Sequence, residues 1–293
     1  MEALKAFLPL IFSGSLAALV LVVGLDATVD DLLFFLKHPR RLARAVVAIC
    51  LVPPIVAGVM IGILPLHPIS QAGIMLMAVA PVPPLVPGKG LKLGGRKAYV
   101  YGLYVTFAVL AVVLVPITVA ILVHIYGKGV LIGPAPLARL VITTVLLPLA
   151  AGMAIHAIWP RLAAKAVPLL GKLSMALLVI ACIPLFVGAW PAVQRVIGDG
   201  TVVAVLVIVA AALFAGHMLG GPNREDRAAL AGAAATRHPG IALLIANGFQ
   251  DKGVAAVVLL FMLVGVIAML PYQLWVKRSA PQPMADAGSG LTL

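Results

Sequence analysis

The sequence predicts an all-α integral membrane protein of about nine transmembrane helices arranged as inverted repeats. Three observations carry the prediction: nine apolar runs of spanning length, basic residues confined to alternate loops, and two runs broken by proline at corresponding places. Of the 293 residues, 63% are hydrophobic and 10% charged, with a mean hydropathy of +1.18. Ordinary soluble domains carry about 25% charged residues. So little polar surface cannot cover such a core in water, and lipid is therefore the expected solvent over most of the molecule.

A helix needs about 20 predominantly apolar residues to cross a bilayer. Runs of that kind fall at Ala6–Gly24, Ala45–Leu64, Ser70–Val86, Ala98–Ile125, Leu137–Ile158, Lys172–Trp190, Thr201–Leu219, Ala228–Ala246 and Val254–Val276. The first is longer than the h-region of a signal peptide, about 7–15 residues, and only Glu2 and Lys5 precede it as charges, so it reads as a membrane helix. The stretch from Ser279 to Leu293, rich in Pro, Gly, Ser and Ala, reads as a disordered tail. Trp159, Trp190, Trp275, Tyr126 and Tyr272 stand at run ends, where an interfacial aromatic belt belongs.

The net charge of +12 does not describe a nucleic-acid surface, because the cations form short clusters between apolar runs rather than a stripe with interleaved aromatics. One set of alternate loops holds fifteen of them, among them Arg40, Arg41, Lys89, Arg96, Lys97, Arg224 and Arg227; the opposite set holds five. The excess marks the cytoplasmic side. A multi-pass protein of the cell's inner (plasma) membrane is expected, with its N-terminus outside and its C-terminus in the cytoplasm, which an odd number of spans requires.

Two runs are not continuous helices. Pro81, Pro83, Pro84 and Pro87 fall within seven positions, and each removes an amide donor and clashes with the preceding turn. The eighth run is interrupted at Thr236-Arg237-His238-Pro239-Gly240. Irregular backbone at membrane depth is tolerated only against protein or a water-filled cavity. Each break occupies the penultimate helix of its half, and the two helices run in opposite directions. That is the pattern of inverted repeats, with a substrate site where the broken helices approach.

Arg237 is the one basic residue that belongs to neither loop set. An arginine at the middle of a span costs about 2.5–3.5 kcal/mol even on insertion scales, so it is expected to face a polar cavity. There it either binds an anion through its planar fork or forms a structural ion pair. Asp26, Asp30 and Asp31 all lie near one helix end, which leaves no acidic partner at depth and favours the anion. His238 either carries a coupling proton or is held by ordinary hydrogen bonds. Thr143 and Thr144 are expected to bond their own helix backbone, and His217, His124 and His156 to sit near interfaces. Asn247 and Gln71 flank the breaks on the outer side. Cys50 and Cys182 are separate small apolar fillers, with no disulfide framework or metal spacing. No paired carboxylates, clustered histidines or nucleophile–base pair lie at depth, so neither an enzyme nor a resident cofactor is expected.

Gly24-Leu25 with Asp31-Leu32, the helix Leu146-Leu147-Pro148-Leu149 ending at Gly152, the loop Pro222-Asn223-Arg224-Glu225-Asp226-Arg227, and Gly240-Ile241-Ala242-Leu243 resemble, in order and spacing, the bile acid:sodium symporter-like family. The resemblance spans about Gly24 to Lys277. It implies a ten-helix inverted-repeat fold, here expected to lack the first helix. The panel would comprise residues 6–24 and 137–190, and the core residues 45–125 and 201–276, with two crossed discontinuous helices. It also implies transport of organic anions, commonly with sodium, by a shift of core against panel. In sodium-coupled members a Gln-Asn pair stands where Arg237 and His238 stand here, a Ser-Asn pair where Val86 and Pro87 stand, and Thr or Ser where Tyr104, Phe107 and Ala108 stand. Sodium coupling is therefore expected to be lost, with the Arg237 guanidinium in place of the ion. The expected function is sodium-independent secondary transport of a small organic anion, either proton-coupled or facilitative, with a proton preferred to sodium as any coupling ion. The rivals are a sodium symporter with relocated ligands and a membrane sensor without turnover. The candidate substrate-binding residues are Arg237, His238, Thr236, Gly240, Pro83, Pro84, Pro87 and Tyr104.

Overall fold

A computed structural model describes residues 2–126, 134–246, 248, 249, 251 and 253–279. Asn247, Lys252, Lys128 and the tail beyond Ser279 lie outside the described residues. Among those described, the regular elements are all helical. Among the described residues seven helical stretches are long and apolar enough to cross a membrane: Pro39–Ile63, Lys97–Ile121, Ala135–Ile158, Pro160–Val196, Thr201–Leu219, Arg224–Ala246 and Gly253–Arg278. The first and third sequence runs supply shorter apolar helices, Ile11–Asp26 and Pro68–Val79. The large apolar side chains left exposed, such as Ile55, Val59, Val187 and Phe214, have no role in water and suit a lipid face.

Helix α1 (Glu2–Asp26) packs along α9 (Leu147–Ile158) and α10 (Pro160–Val196). The approach of α1 to α9 is close because two glycines meet: a Cβ on Gly24 would lie 2.3 Å from the Leu149 carbonyl, and one on Gly152 2.4 Å from that of Leu21. A second group is built around α11 (Thr201–Leu219), which lies against α4 (Val52–Ile63), α12 (Arg224–Ala235) and α14 (Gly253–Arg278), with α5 (Pro68–Val79) against α14. Helix α2 (Val29–Lys37), started by a reciprocal Thr28–Asp31 capping box, lies along α7 (Lys97–Tyr126).

Proline shapes the backbone wherever it interrupts a run. Pro53 and Pro54 follow a π-helical segment at Val47–Leu51, and Pro148 follows another at Ile142–Leu146. In both places the helix widens where the missing amide leaves a carbonyl without its usual donor. At Pro81–Pro84 it stops altogether: α5 ends at Val79 and α6 (Val86–Lys92) begins beyond the prolines. In the eighth run α12 ends at Ala235 and α13 (Pro239–Ala246) begins after Thr236–His238. Thr143 and Thr144 donate to their own helix, at Arg139 and Leu140, as expected.

Candidate functional site

The two breaks touch. The His238 amide donates to the Pro81 carbonyl at 2.9 Å, joining the second break to the first. Arg237, 6% exposed, extends the junction with three further bonds, all to backbone carbonyls: Ile49 at 2.9 Å, Ala234 at 2.7 Å and Ala80 at 3.3 Å.

Each of these carbonyls is free for a reason written in the sequence. In a continuous helix Ile49 would accept from residue 53 and Ala80 from residue 84, and both of those are proline. Ala234 would accept from His238, whose amide instead reaches across to Pro81. The guanidinium thus collects the acceptors that two helix breaks and one proline-widened turn leave over, which buried backbone demands of some donor. No carboxylate among the described residues joins it. Carbonyl dipoles solvate the charge without cancelling it, so the site keeps a net positive charge.

His238 is also buried, and its Nδ1 accepts from the Ile241 amide at 3.3 Å. That is an N-cap for α13, with Pro239 in the first helical position, where its missing amide does no harm. An accepting Nδ1 carries no proton, so the ring is anchored as a neutral cap. Gly240 lies against this ring and Leu16; an added Cβ would stand 2.2 Å from the leucine side chain.

A cavity of about 490 Å³ opens beside the junction. Its walls come from α1 at Phe12 and Leu16, from α10 between Met175 and Val187, from α14 at Met262 and Val266, and from the two breaks. Of the eight expected residues, Pro83, Pro84, Thr236 and Arg237 line it. His238 and Gly240 support the second break, and Pro87 is buried in α6, so these three are not in its walls. Tyr104 is wholly buried elsewhere on α7, its hydroxyl without a hydrogen-bond partner among the described residues. Thr236 donates back to Gly232 at 2.7 Å.

The walls are apolar where a polar cavity was expected around Arg237. The reason is that half of the lining comes from α1 and α10, spanning helices that present apolar side chains there. Lys89 lines the cavity too, although its place in the sequence groups it with the loop cations. The signal was its distance from Pro87: two residues past the last proline of a break is still inside that break's first helical turn. Gln71, expected near an entrance, donates to the Leu66 carbonyl at 2.9 Å, and His217 pairs with the Tyr272 hydroxyl beside Trp275.

No curated protein matches the chain significantly. A family model described as Sodium Bile acid symporter family matches residues 15–195, which takes in the first break and ends before α11 and the second. That match covers more than half of the sequence, and with the expected motifs in order the chain belongs to the sodium bile acid symporter family.

Proposed function

We propose that this protein is a secondary transporter of an organic anion that runs without sodium, with the anion held at the junction of the two broken helices. Family membership makes it a multi-pass membrane solute transporter. The anion and the independence from sodium are our reading, and one observation carries both: the Arg237 guanidinium occupies the carbonyls of Ile49, Ala80 and Ala234 and faces a cavity with no acidic side chain in its walls. Free carbonyls gathered at helix interruptions are the kind of ligand a transporter offers a coupling cation. Here a tethered cation takes them. What is left for a ligand is positive charge beside an apolar wall, which suits an amphipathic carboxylate.

The packing of α1 with α9 and α10, and of α11 with α12 and α14, supports a panel and a core, and the cavity between α1, α10 and the breaks would lie on their boundary. Alternating exposure of the site would then follow from movement of one group past the other. The cation excess of alternate loops supports a cytoplasmic C-terminus. The neutral cap formed by His238 argues against that residue as the proton carrier, because protonating Nδ1 would remove the acceptor from Ile241.

The test is thermal stabilisation of the purified protein by a panel of organic carboxylates, in sodium and in potassium buffer. A bound ligand raises the midpoint by mass action. The expected result is stabilisation by a carboxylate, equal in the two buffers and lost in Arg237→Ala. Arg237→Lys keeps the charge and should retain part of the stabilisation. Stabilisation by sodium alone would return first place to a sodium symporter.

A further inference from the structure

We propose that Lys89 is the second cation of this anion site, and that the head group it accepts carries two negative charges. The inference rests on the reading that the cavity binds an organic anion. Its starting point is the fate of the four cations around the first break and the loop that follows. Arg96 is paired with Asp226, and Lys97 with Asp26 at 2.8 Å. Lys92 is exposed to solvent. Lys89 is half-buried and has neither a carboxylate nor a hydrogen-bond acceptor among the described residues. It lines the main cavity together with Arg237, shares a second, smaller cavity with it, and borders a third.

Arg237 and Lys89 differ in how they are held. Three carbonyls fix the guanidinium, whereas the lysine ammonium sits on a flexible stem with all three donors free. Among the described residues both charges face walls that offer no acid, and Cys182 is the one other titratable side chain sharing Lys89's cavities. In an apolar surrounding two uncompensated cations are unfavourable, and a single-charged ligand would leave one of them unmatched. A head with two charges matches both. The fixed arginine would set its position, and the mobile lysine would close on it.

A lysine stem can also lie along an apolar wall simply to bring its ammonium to water. The two roles separate with a pair of probes of similar shape and different charge: octyl phosphate and octanesulfonate. A phosphate monoester carries about −1.5 to −2 at pH 7, with a second pKa near 6, while the sulfonate carries one charge throughout. Affinities are read from midpoint shifts of the full chain in an uncharged detergent. At pH 7.5 the wild type is expected to prefer the phosphate by about tenfold, the scale of one additional charge-assisted contact. At pH 5, where the phosphate is mostly singly charged, the preference should fall to near parity, with the sulfonate reporting any titration of the protein itself. Lys89→Gln should abolish the preference at pH 7.5, lowering phosphate affinity more than sulfonate affinity, and Lys89→Arg should retain it. Parity in the wild type at pH 7.5, or an unchanged preference in Lys89→Gln, overturns the proposal and leaves single-anion transport standing. If neither probe nor any carboxylate shifts the wild type, both readings fall together.

Discussion

Helix α12 carries a buried charge at each end, Asp226 in its first turn and Arg237 just beyond its last, and the two are satisfied by different means. Asp226, whose side chain is 1% exposed, takes both oxygens to Arg96, with Arg41 at 3.5 Å and the Asn223 amide beside it. Arg237 has only backbone carbonyls. At the first end opposite charges close the account and tie α12 to α3 (Pro39–Val46) and to the start of α7. At the other end the hydrogen bonds are supplied and the charge is not. A buried ion whose charge is answered within the fold is a structural part. One that is solvated but unanswered, beside a cavity, is free to select a ligand.

The comparison is tested hardest at Asp226. Removing one partner of a buried ion pair costs about 3–5 kcal/mol, and Asp226→Ala should fall toward the lower end because Arg41 and Arg96 are partly exposed and can turn to solvent. The midpoint of the purified protein should drop accordingly, yet the folded fraction should bind the anion with unchanged affinity. Loss of affinity per folded molecule would place Asp226 in the binding machinery and erase the distinction between the two ends.

Arg237→Lys asks the complementary question. A lysine keeps one charge but cannot span three carbonyls from a planar fork. Leaving one or two buried carbonyls unsatisfied should cost about 1–3 kcal/mol, and anion affinity should fall without vanishing. Equal stability to wild type would mean that water or neighbouring amides serve the carbonyls, and that Arg237 is not the tie between the breaks.

Pro84→Ala is subtler. It returns an amide at the position from which a continuous helix would satisfy Ala80. Through the unfolded state alone, losing a compatible proline costs about 0.4–1 kcal/mol. If the new amide claims the Ala80 carbonyl, Arg237 loses that acceptor, and the affinity for the anion should shift more than the stability does. A change confined to stability would show that the carbonyl is not shared.

Most of the fold was legible because membrane helices announce themselves by length and proline by what it forbids. The helices follow the apolar runs, and the two interruptions stand where Pro81–Pro84 and His238–Pro239 require them. The acceptors of Arg237 were legible in principle: counting four residues back from Pro53 and Pro84 gives Ile49 and Ala80. What the sequence did not disclose was that Val47–Leu51 packs within reach of the second break, a long-range relation that no local pattern encodes. The character of the cavity was hidden for the same reason. Its walls come from α1 and α10, distant in sequence from either break, and each alone reads as an ordinary span. Lys89 gave no sign of the cavity, because a cation near a run end usually marks the membrane surface.

The smallest effect is expected outside the membrane, at a carboxylate that resembles neither end of α12. Asp199, in the turn before α11, accepts from the Ser70 hydroxyl at 2.6 Å, from the His67 amide at 3.1 Å, and from both the amide and hydroxyl of Thr201. Partial burial would raise its pKa, but these hydrogen bonds together outweigh burial and hold the carboxyl below its ordinary value. The folded protein therefore binds fewer protons here than the unfolded chain, so the contribution is fully present above the ordinary aspartate pKa of about 3.9. It is lost as pH falls through the depressed folded value. Asp199→Asn should remove that acid-side slope and no other. The measurement is the difference in thermal midpoint between wild type and variant from pH 6 downward, constant at first and shrinking once Asp199 begins to protonate. A difference that grew toward acid would mean that the hydroxyls of Ser70 and Thr201 hold the neutral acid better than the anion, and that this turn joins α5 to α11 by shape rather than by charge.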